Sequence, residues 1–350
     1  MLPAGIHFGR YAAEARILKT RRSQVWALAL VVLLLVMPQL AGNYLLGVFT
    51  HMFITLMAVY GLFVTVGMAG QINIAQSAFV GIGAFAAAKL SGYGLPVFVV
   101  VPLAAVITGL VSIVFALPAA RVKGFYLALT TLAAQVMFPI IILALPMGWL
   151  GGLVGMPVEP LRIAGVRLSS PTHLYYFALI LVAILTVAAF NLPRSRFGRA
   201  LMAVRDNDIV AEVMGIPVLR MKILAFFTGS LFAGVAGACT AYFLQFVTVD
   251  SFTLFASVWY LGMLIVGGIH SPVGAILGVV FITAVQEGLH WGATAILHAG
   301  GAASGGMLFA ITSVALGAAI LIALIFEPRG LAHRWSVLRA AFQLWPFPRN

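Results

Sequence analysis

Long apolar runs make up most of this chain, and short polar segments separate them. About 20 apolar residues are enough for a helix to cross a bilayer. The runs are continuous and lack two-residue alternation, which is typical of helices rather than of a membrane β-barrel. The pattern predicts an all-α, polytopic integral membrane protein with about ten transmembrane helices. The predicted spans are residues 25–41, 45–67, 73–90, 96–118, 125–145, 173–191, 223–246, 254–269, 273–291 and 306–326.

Composition supports a membrane protein. Apolar residues make up 63% of the 350 positions and charged residues only 8%, against about 25% charged residues in a typical soluble domain. The single cysteine, Cys239, excludes a disulfide framework within the chain and is expected to be a packing residue. The first apolar run lacks a cleavage-type pattern and is followed by further spans, so we expect it to remain as a helix.

The distribution of positive charge predicts orientation. The net charge is +12, but the cations lie at the ends of apolar runs, which argues against nucleic acid as a partner. With a cytoplasmic N-terminus and ten spans, 17 of the 20 Lys and Arg residues lie inside, and only Lys89, Arg162 and Arg167 lie outside. The sequence therefore predicts a cytoplasmic N-terminal segment at 1–24, one transmembrane domain at 25–330, and a cytoplasmic tail at 331–350.

Two outer segments are longer than a simple turn. Pro146 to Pro171 carries the sequence GWLGGLVGMP before a polar, proline-bounded stretch. This segment is a candidate for capping a pathway or meeting an external partner. Gly292 to Gly305 is rich in Ala and Gly, and we expect it to be a plain connecting loop.

The residues from Pro193 to Lys222, called the island below, form a charged segment between apolar runs. The orientation argument makes it a cytoplasmic loop. Phe197, Leu201 and Val204 share one helical face, which predicts a short amphipathic helix. The two interpretations of the island are a docking element for a soluble partner and a solvated loop anchored at the membrane surface.

A second short helix is predicted from about Ile209 to Met214. Asp206 or Asp208 is a candidate N-cap, and Glu212 lies early in the helix, where it complements the helix dipole. Gly215 fits the position just after the helix, and Pro217 follows it.

Four polar side chains lie within seven residues at the start of the third span: Gln71, Asn73, Gln76 and Ser77. Glycines at 67, 70, 81 and 83 surround them. Polar groups at membrane depth cost free energy unless they are paired or face water. The cluster predicts either a broken helix that lines a substrate path or interhelical hydrogen bonds that hold the helices together.

The fifth span carries Thr130, Thr131 and Gln135. These side chains could line a cavity. Threonine in a membrane helix often bonds the backbone of its own helix instead, and we favour that interpretation for both threonines.

Glu287 is the one acidic residue clearly inside an apolar segment, near the end of the ninth span. An intramembrane carboxylate is a candidate functional group, although Trp291 nearby is typical of the membrane interface, where Glu287 would be solvated. Glu287 and His290 have a spacing that can ligate iron in helical bundles, but only with further carboxylates from other helices. No other span offers one, and no Walker loop or known catalytic motif occurs, so we expect no metal, cofactor or enzymatic activity.

Several segments together resemble one family. They occur in order from about Gly61 to Leu331 and are GQINIAQSAFVGIGAFAAA, RVKGFYLALTTL, SRFGRALMAVRDNDIVAEVMGIPVLRMKILAF, VGGIHSPVGAILGVVF and EPRGL. The chain resembles the M-type permease subunits of bacterial ABC importers for branched-chain amino acids. It departs from the family pattern at Ala75-Gln76-Ser77, where Gly-His-Gly is frequent, and in the loop after Pro146.

The resemblance implies a transport subunit in the bacterial inner membrane. Its implied partners are two cytoplasmic ABC ATPases, a second homologous permease and a periplasmic substrate-binding protein. The island would be the ATPase-coupling loop, with Glu212 and Gly215 at matching positions, and Glu287 would correspond to an acidic residue near the end of that span. The candidate coupling residues are Arg196, Arg199, Arg205, Asp208, Glu212 and Gly215. The candidate path residues are Gln71, Asn73, Gln76, Ser77 and Glu287.

The substrate has alternatives, because the same family covers urea, short amides and aromatic acids as well as branched-chain amino acids. A different class of function is an ion-coupled secondary transporter, in which Glu287 would be the coupling group. A single buried charge is fewer than such carriers usually have.

Overall fold

Helices make up most of the described chain. A computed structural model describes residues 21–298 and 314–344, apart from positions 123, 153, 164, 165, 169, 319, 323, 324, 326 and 328. The helices are α1 (Arg21–Leu40), α2 (Asn43–Leu62), α3 (Gln76–Gly92), α4 (Val97–Ala119), α5 (Phe125–Ala144), α6 (Met147–Leu150), α7 (Pro171–Asn191), α8 (Arg196–Asp206), α9 (Asp208–Val213), α10 (Val218–Leu244), α11 (Leu254–Gly267), α12 (Pro272–His298) and α13 (Leu331–Leu344).

Seven helical segments in the described part of the chain are long and apolar enough to cross a membrane. They are Asn43–Met68, Val97–Ala119, Phe125–Ala144, Pro171–Arg194, Val218–Leu244, Val249–Gly267 and Pro272–Gly292. The apolar part of α1, Leu28–Leu40, and the 17-residue α3 are shorter. Residues 306–313 of the tenth predicted span lie outside the described residues. The all-α, polytopic prediction is confirmed, and the count of ten stays a prediction.

Two predicted boundaries were wrong. The third span was expected from residue 73, but α3 begins at Gln76 because residues 70–75 are not helical. The loop expected at Gly292 to Gly305 is helical up to His298, the last residue of α12. Alanines and a leucine in this stretch favour a helix, and the glycine at its start is tolerated. Residues 299–305 lie outside the described part of the chain.

The outer segment from Pro146 to Pro171 contains short strands that the sequence did not indicate. Strand β1 (Met156–Pro157) pairs antiparallel with β4 (Phe246–Val247), and β2 (Leu161–Ile163) pairs with β3 (Val166–Leu168). The β1–β4 pairing attaches the segment to the end of α10.

Helix α10 lies at the centre of the bundle and packs against α2, α3 and α4. Its buried face carries small residues, including Ala233, Ala236 and Ala241, which let neighbouring backbones approach closely. A Cβ added to Gly237 would overlap the carbonyl oxygen of Val80 on α3. This contact shows why α10 and α3 need a glycine where they meet.

The bundle has two distinct ends. The island begins just after α7 and ends in the first turn of α10, and α2 also ends there, so we call this the island end. The opposite end holds the beginnings of α2 and α7, the end of α10, and the paired strands β1 and β4.

Candidate functional site

The chain between α2 and α3 is a break inside the membrane domain. After α2 the helix widens into a π-helical turn, Phe63–Met68. Gly70 then reverses the chain at φ +67°, a conformation that favours glycine. Residues 71–75 are extended or irregular, and Gln76 Nε2 donates to the carbonyl oxygen of Ala58 at 2.7 Å. Ten residues separate Ala58 from the end of the π-helical turn, a distance of about 15 Å along the helix axis. Because Gln76 contacts Ala58, α3 begins at that depth inside the bundle.

Side chains from other helices bind the N-terminus of α3. The Ser77 amide donates to Ser257 Oγ at 2.8 Å, and the Ala78 amide donates to Gln135 Oε1 at 2.9 Å. The Ala75 amide just before the helix donates to Asn73 Oδ1 at 2.9 Å. The first amides of a helix have no partner within the helix. The break is therefore held by side chains of α5 and α11 together with Asn73 of the break itself.

Gln135 is the centre of this polar network. Its Oε1 also accepts from Ser257 Oγ at 2.9 Å, and its Nε2 donates to the carbonyl oxygen of Phe252 at 2.9 Å. The sequence suggested Gln135 only as a possible cavity residue. Ser257 was missed, because its partners lie far away in the chain and no local spacing indicates them.

We expect Gln135→Leu to lower the thermal unfolding temperature of the detergent-solubilised protein. The change leaves the Ala78 amide and the Phe252 carbonyl buried without partners, at about 1–3 kcal/mol each. Thr130→Val is the matched control about one turn away, because among the described residues the Thr130 hydroxyl bonds only Tyr126 of its own helix. An unfolding temperature equal to that of the wild type would contradict the role given to Gln135.

The two threonines behave as favoured from the sequence. The Thr130 hydroxyl donates to the Tyr126 carbonyl at 2.9 Å, and the Thr131 hydroxyl donates to the Ala128 carbonyl at 3.0 Å. Thr131 Oγ1 also accepts from the Ile74 amide at 3.2 Å. Thr131 therefore combines a bond to its own helix with a contact to the break.

The four predicted path residues of the break are all buried, and they divide into two pairs. Asn73 Nδ2 donates to Gln76 Oε1 at 3.1 Å, so this pair stabilises the turn into α3. In contrast, both polar atoms of the Gln71 side chain and Ser77 Oγ have no hydrogen-bond partner among the described residues. Buried polar groups are normally paired, and in the described part of the chain these side chains, like Ser230 Oγ, lack a protein partner.

At the island, Ser195 caps α8 by accepting from the Gly198 amide at 2.9 Å. Leu201 and Val204 are buried on the inner face of α8, and Phe197 is half-buried, which agrees with the predicted amphipathic helix. The island contains two short helices, α8 and α9, as predicted.

The predicted N-cap of the second island helix was wrong. Asn207, not Asp206 or Asp208, caps α9, since its Oδ1 accepts from the Ile209 amide at 3.1 Å and the Val210 amide at 3.2 Å. Asp206 is instead paired with Arg205, and Asp208 lies 3.6 Å from Lys222 Nζ.

The end of α9 follows the sequence signal. Gly215 has φ +82°, and its amide donates to the Glu212 carbonyl at 2.9 Å. The Ile216 amide donates to the Ala211 carbonyl at 3.0 Å. These two bonds form a Schellman motif, which glycine favours at this position.

The outer face of α9 is exposed and apolar around the exposed Glu212. The exposed fractions of Ile209, Val210, Val213 and Met214 are 67%, 56%, 83% and 77%. Contiguous exposed apolar residues in a polar segment are typical of a protein interaction site.

Arg205 points into the bundle rather than outward. Its Nη1 donates to the carbonyl oxygen of Gly67 in the π-helical turn at 2.8 Å and lies 3.0 Å from Nδ1 of His270, in the turn between α11 and α12. Its Nε and Nη2 donate to Asp206 Oδ1 at 2.9 and 2.8 Å. A Cβ added to Gly70 would lie 2.7 Å from Arg205 Cγ. Arg205 thus joins α8 to the break and to the α11–α12 turn.

The other island cations lie nearer the surface. Arg196 and Arg199 are exposed on α8, and Arg199 Nη1 donates to the Arg194 carbonyl at 2.6 Å. Arg205 therefore differs in position from Arg196 and Arg199, although all three were predicted as coupling residues.

Glu287 lies toward the opposite end of the bundle. It is half-buried, and its Oε2 accepts from the hydroxyl of Tyr44, in the first turn of α2, at 2.6 Å. Trp291, one turn further along α12, is 63% exposed. Among the described residues no group of three or more His, Cys, Asp and Glu side chains could hold a metal ion.

Comparison with known proteins connects this arrangement to transport. The permease protein LivM of the high-affinity branched-chain amino acid transport system of Salmonella typhimurium is 28% identical over 294 residues, 77% of this chain and 69% of the relative. LivM of Escherichia coli K12 is 27% identical over 292 residues, with the same shares covered. The autoinducer 2 import system permease protein LsrC of E. coli K12/DH10B is 27% identical over 146 residues, 40% of this chain and 42% of the relative. No solved structure matches this one.

The family described as the permease component of branched-chain amino acid transport systems matches residues 44–325. This range contains the break between α2 and α3, the island, and Glu287. Because the match covers most of the chain and both candidate sites, the chain belongs to the family of branched-chain amino acid transport system permease components.

Proposed function

We propose that this chain is the pore-forming subunit of an ATP-driven ABC importer in a bacterial inner membrane, with branched-chain or related amino acids as substrates. It pairs with a second, homologous permease. Two cytoplasmic ABC ATPases drive it, and a periplasmic binding protein delivers the substrate. The observation that carries this proposal is the island, which exposes α9 on one side and joins α8 to the break on the other.

The orientation follows from charge. In the proposed topology both termini and the island are cytoplasmic, and the chain crosses the membrane ten times. The 17 Lys and Arg residues on the island side favour this orientation over its inverse. The end opposite the island then faces the periplasm and the binding protein.

The exposed face of α9 is the proposed docking surface for an ATPase. Its apolar side chains would be desolvated in a cleft of the partner, with Glu212 paired with a cation there. The Schellman motif at Gly215 ends α9 after about two turns, so only a short helix is exposed to the partner. Arg196, Arg199 and Asp208 flank this surface on the permease side.

Arg205 is the proposed transmission residue. A guanidinium has five donors in a rigid, planar fork, and here it contacts α8, the π-helical turn and the α11–α12 turn together. When ATPase closure moves α8 and α9, this contact would carry the motion to Gly67 and the break. π-helical turns often occur at functional sites, which is consistent with a mobile segment here.

The break is the proposed constriction of the substrate path. Asn73 and Gln76 hold its shape, and the unpartnered side chains of Gln71 and Ser77 are available to substrate when the path opens. Discontinuous membrane helices line the binding sites of many transporters. Glu287 belongs to the outer part of the path, beside Tyr44. The names of the LivM relatives favour branched-chain amino acids over urea, short amides and aromatic acids.

A reconstitution experiment tests the function. The chain is placed in liposomes alone or with the second permease, the ATPases and the binding protein, and uptake of radiolabelled L-leucine is measured with internal ATP or with an imposed proton gradient. We expect ATP-dependent uptake by the complete complex and no uptake by the chain alone. ATPases unable to hydrolyse ATP are the control. Accumulation by the chain alone under a proton gradient would instead establish an ion-coupled transporter, for which Glu287 is the candidate coupling group.

A further inference from the structure

A polar cavity lies at the end of the bundle opposite the island, separate from the break. It has a volume of about 330 Å³ and lies between the first turns of α2, the beginning of α7 and the end of α10. Its polar lining comes from Asn43, Thr50, Ser170, Tyr242 and Gln245. Small-molecule sites are concave, begin at about 300 Å³ and combine apolar walls with a few polar groups. The size of this cavity suits a small ligand.

The Tyr242 hydroxyl is an unused polar group in this cavity. The residue is only 5% exposed, and its hydroxyl makes no hydrogen bond to the described residues. A buried tyrosine hydroxyl usually has a partner. The ring itself is fixed by an edge-to-face contact with Phe177, whose centroid lies 6.3 Å away. The Tyr242 hydroxyl is therefore held in a fixed position, where it can donate a hydrogen bond to a ligand in the cavity or accept one from it.

Gln245 adds a second unusual feature. It is the only non-glycine residue with positive φ, at 58°, in the described part of the chain. Its amide donates to the Ala241 carbonyl at 2.9 Å, and its carbonyl accepts from the Val158 amide at 3.0 Å, beside the β1–β4 pair. Strained backbone tends to persist at ligand sites, where surrounding contacts hold it. Here those contacts keep the Gln245 side chain in the cavity lining.

The uncharged lining of the cavity indicates a ligand without net charge. The described residues that line the cavity include no charged side chain, so a ligand with net charge would be bound without a counter-ion among them, which is unfavourable. Amide and hydroxyl groups offer both donors and acceptors, which suit the ammonium and carboxylate of a zwitterion. Leu46, Leu174 and Phe243 supply an apolar wall for a side chain.

We propose that this cavity is an entry site that binds a neutral α-amino acid with an apolar side chain before it reaches the break. This inference deepens the proposed function, on which it rests for the direction of transport. The site is distinct from the Gln71 and Ser77 region, since it lies at the first turns of α2, whereas the start of α3 contacts Ala58 further along that helix.

Filling the cavity is the first test. A Cβ added to Gly47 meets no atom within 4 Å, and Gly47 lines the cavity, so the side chain of Gly47→Leu should occupy cavity space. Gly92→Leu, at the end of α3, also enters open space and is the matched control. In the complete complex we expect Gly47→Leu to lower L-leucine uptake about ten-fold, the loss of roughly 1.4 kcal/mol of binding. Gly92→Leu should transport normally, and wild-type uptake by Gly47→Leu would overturn the proposal.

Ligand protection tests binding independently of transport. Ser170 precedes α7 without capping it, and the native Cys239 is buried. A membrane-impermeant thiol reagent should therefore label the Ser170→Cys variant from the outer side with little background. L-leucine should slow this labelling, whereas L-glutamate, L-lysine and urea should not. Equal labelling rates with and without L-leucine would overturn the site.

The two hypotheses can fail separately. If the wild-type complex takes up no amino acid with ATP, the proposed function fails, yet protection of the Ser170→Cys thiol by L-leucine would still support the cavity. If uptake is normal and L-leucine gives no protection, the cavity inference fails and the proposed function stands.

Discussion

Replacing Glu212 with arginine should detach the ATPases from this permease and abolish ATP-driven uptake. Glu212 lies at the centre of the exposed apolar face of α9. A reversed charge would face a partner surface that complements a carboxylate. Like charges brought together at an interface cost several kcal/mol, and about 2.7 kcal/mol corresponds to a 100-fold loss of affinity. We therefore expect the ATPase chains to be lost when the tagged permease is purified.

Two variants separate docking from general damage. Glu212→Gln keeps the size of the side chain and removes only its charge, so we expect a partial loss of ATPase binding. Asp250→Arg reverses an exposed carboxylate at the opposite end of the bundle, and the ATPases should remain bound. Co-purification of the ATPases with Glu212→Arg at the wild-type ratio, together with unchanged uptake, would contradict the docking role of α9.

Local chemistry made the elements of the island predictable from the sequence. The Gly215 and Pro217 signals predicted where α9 ends, because a helix stop depends on the conformation of a few adjacent residues. The cap was less predictable, since three successive residues, Asp206, Asn207 and Asp208, are all good N-caps. The structure selects Asn207 because Asp206 is bound by Arg205 and Asp208 lies near Lys222. When adjacent residues are equally good N-caps, tertiary contacts determine which of them caps the helix.

The break was visible only as a cluster of polar residues and glycines. That pattern allowed either a path or a packing site. Among the described residues, the side chains of Asn73 and Gln76 have hydrogen-bond partners, whereas those of Gln71 and Ser77 have none. The side chains that hold α3 in place, Gln135 and Ser257, belong to distant helices. No periodicity in a single sequence links residues so far apart. The same limit hid the inward direction of Arg205, which the sequence placed with the surface arginines.

Replacing Arg205 with glutamine should leave the ATPases bound and hydrolysing ATP, while the amount of L-leucine transported per ATP falls about ten-fold. Glutamine is shorter and uncharged, and it cannot donate to Gly67, His270 and Asp206 at once. One strong charge-assisted bond contributes about 1.5–3 kcal/mol, so losing it would weaken the link between α8 and the break. ATP hydrolysis and uptake are measured on the same proteoliposomes, after size-exclusion chromatography has confirmed that the complex is intact.

The pattern of variants distinguishes transmission from docking and from stability. Arg220→Gln removes an exposed arginine in the first turn of α10 and should keep the wild-type ratio of transport to hydrolysis. Arg205→Lys retains a charge but has only one donor group, so we expect an intermediate ratio. His270→Ala removes the contacts that His270 Nδ1 makes with Arg205 and with the Gly67 carbonyl, and it leaves the bond from Arg205 to Gly67. It should give a smaller loss in the same direction, and it replaces Arg205→Gln as the test variant if that complex does not assemble.

Substituting a docking residue should lower ATPase binding and ATP hydrolysis together, as expected for Glu212. Substituting a transmission residue should lower only the amount of L-leucine transported per ATP. The expected contrast between Glu212→Arg and Arg205→Gln follows from the two faces of one short segment, because α9 faces solvent and Arg205 reaches the π-helical turn. Wild-type coupling in both Arg205→Gln and His270→Ala would show that motion reaches the break by another route, and the tie between α8 and Gly67 would then be only structural.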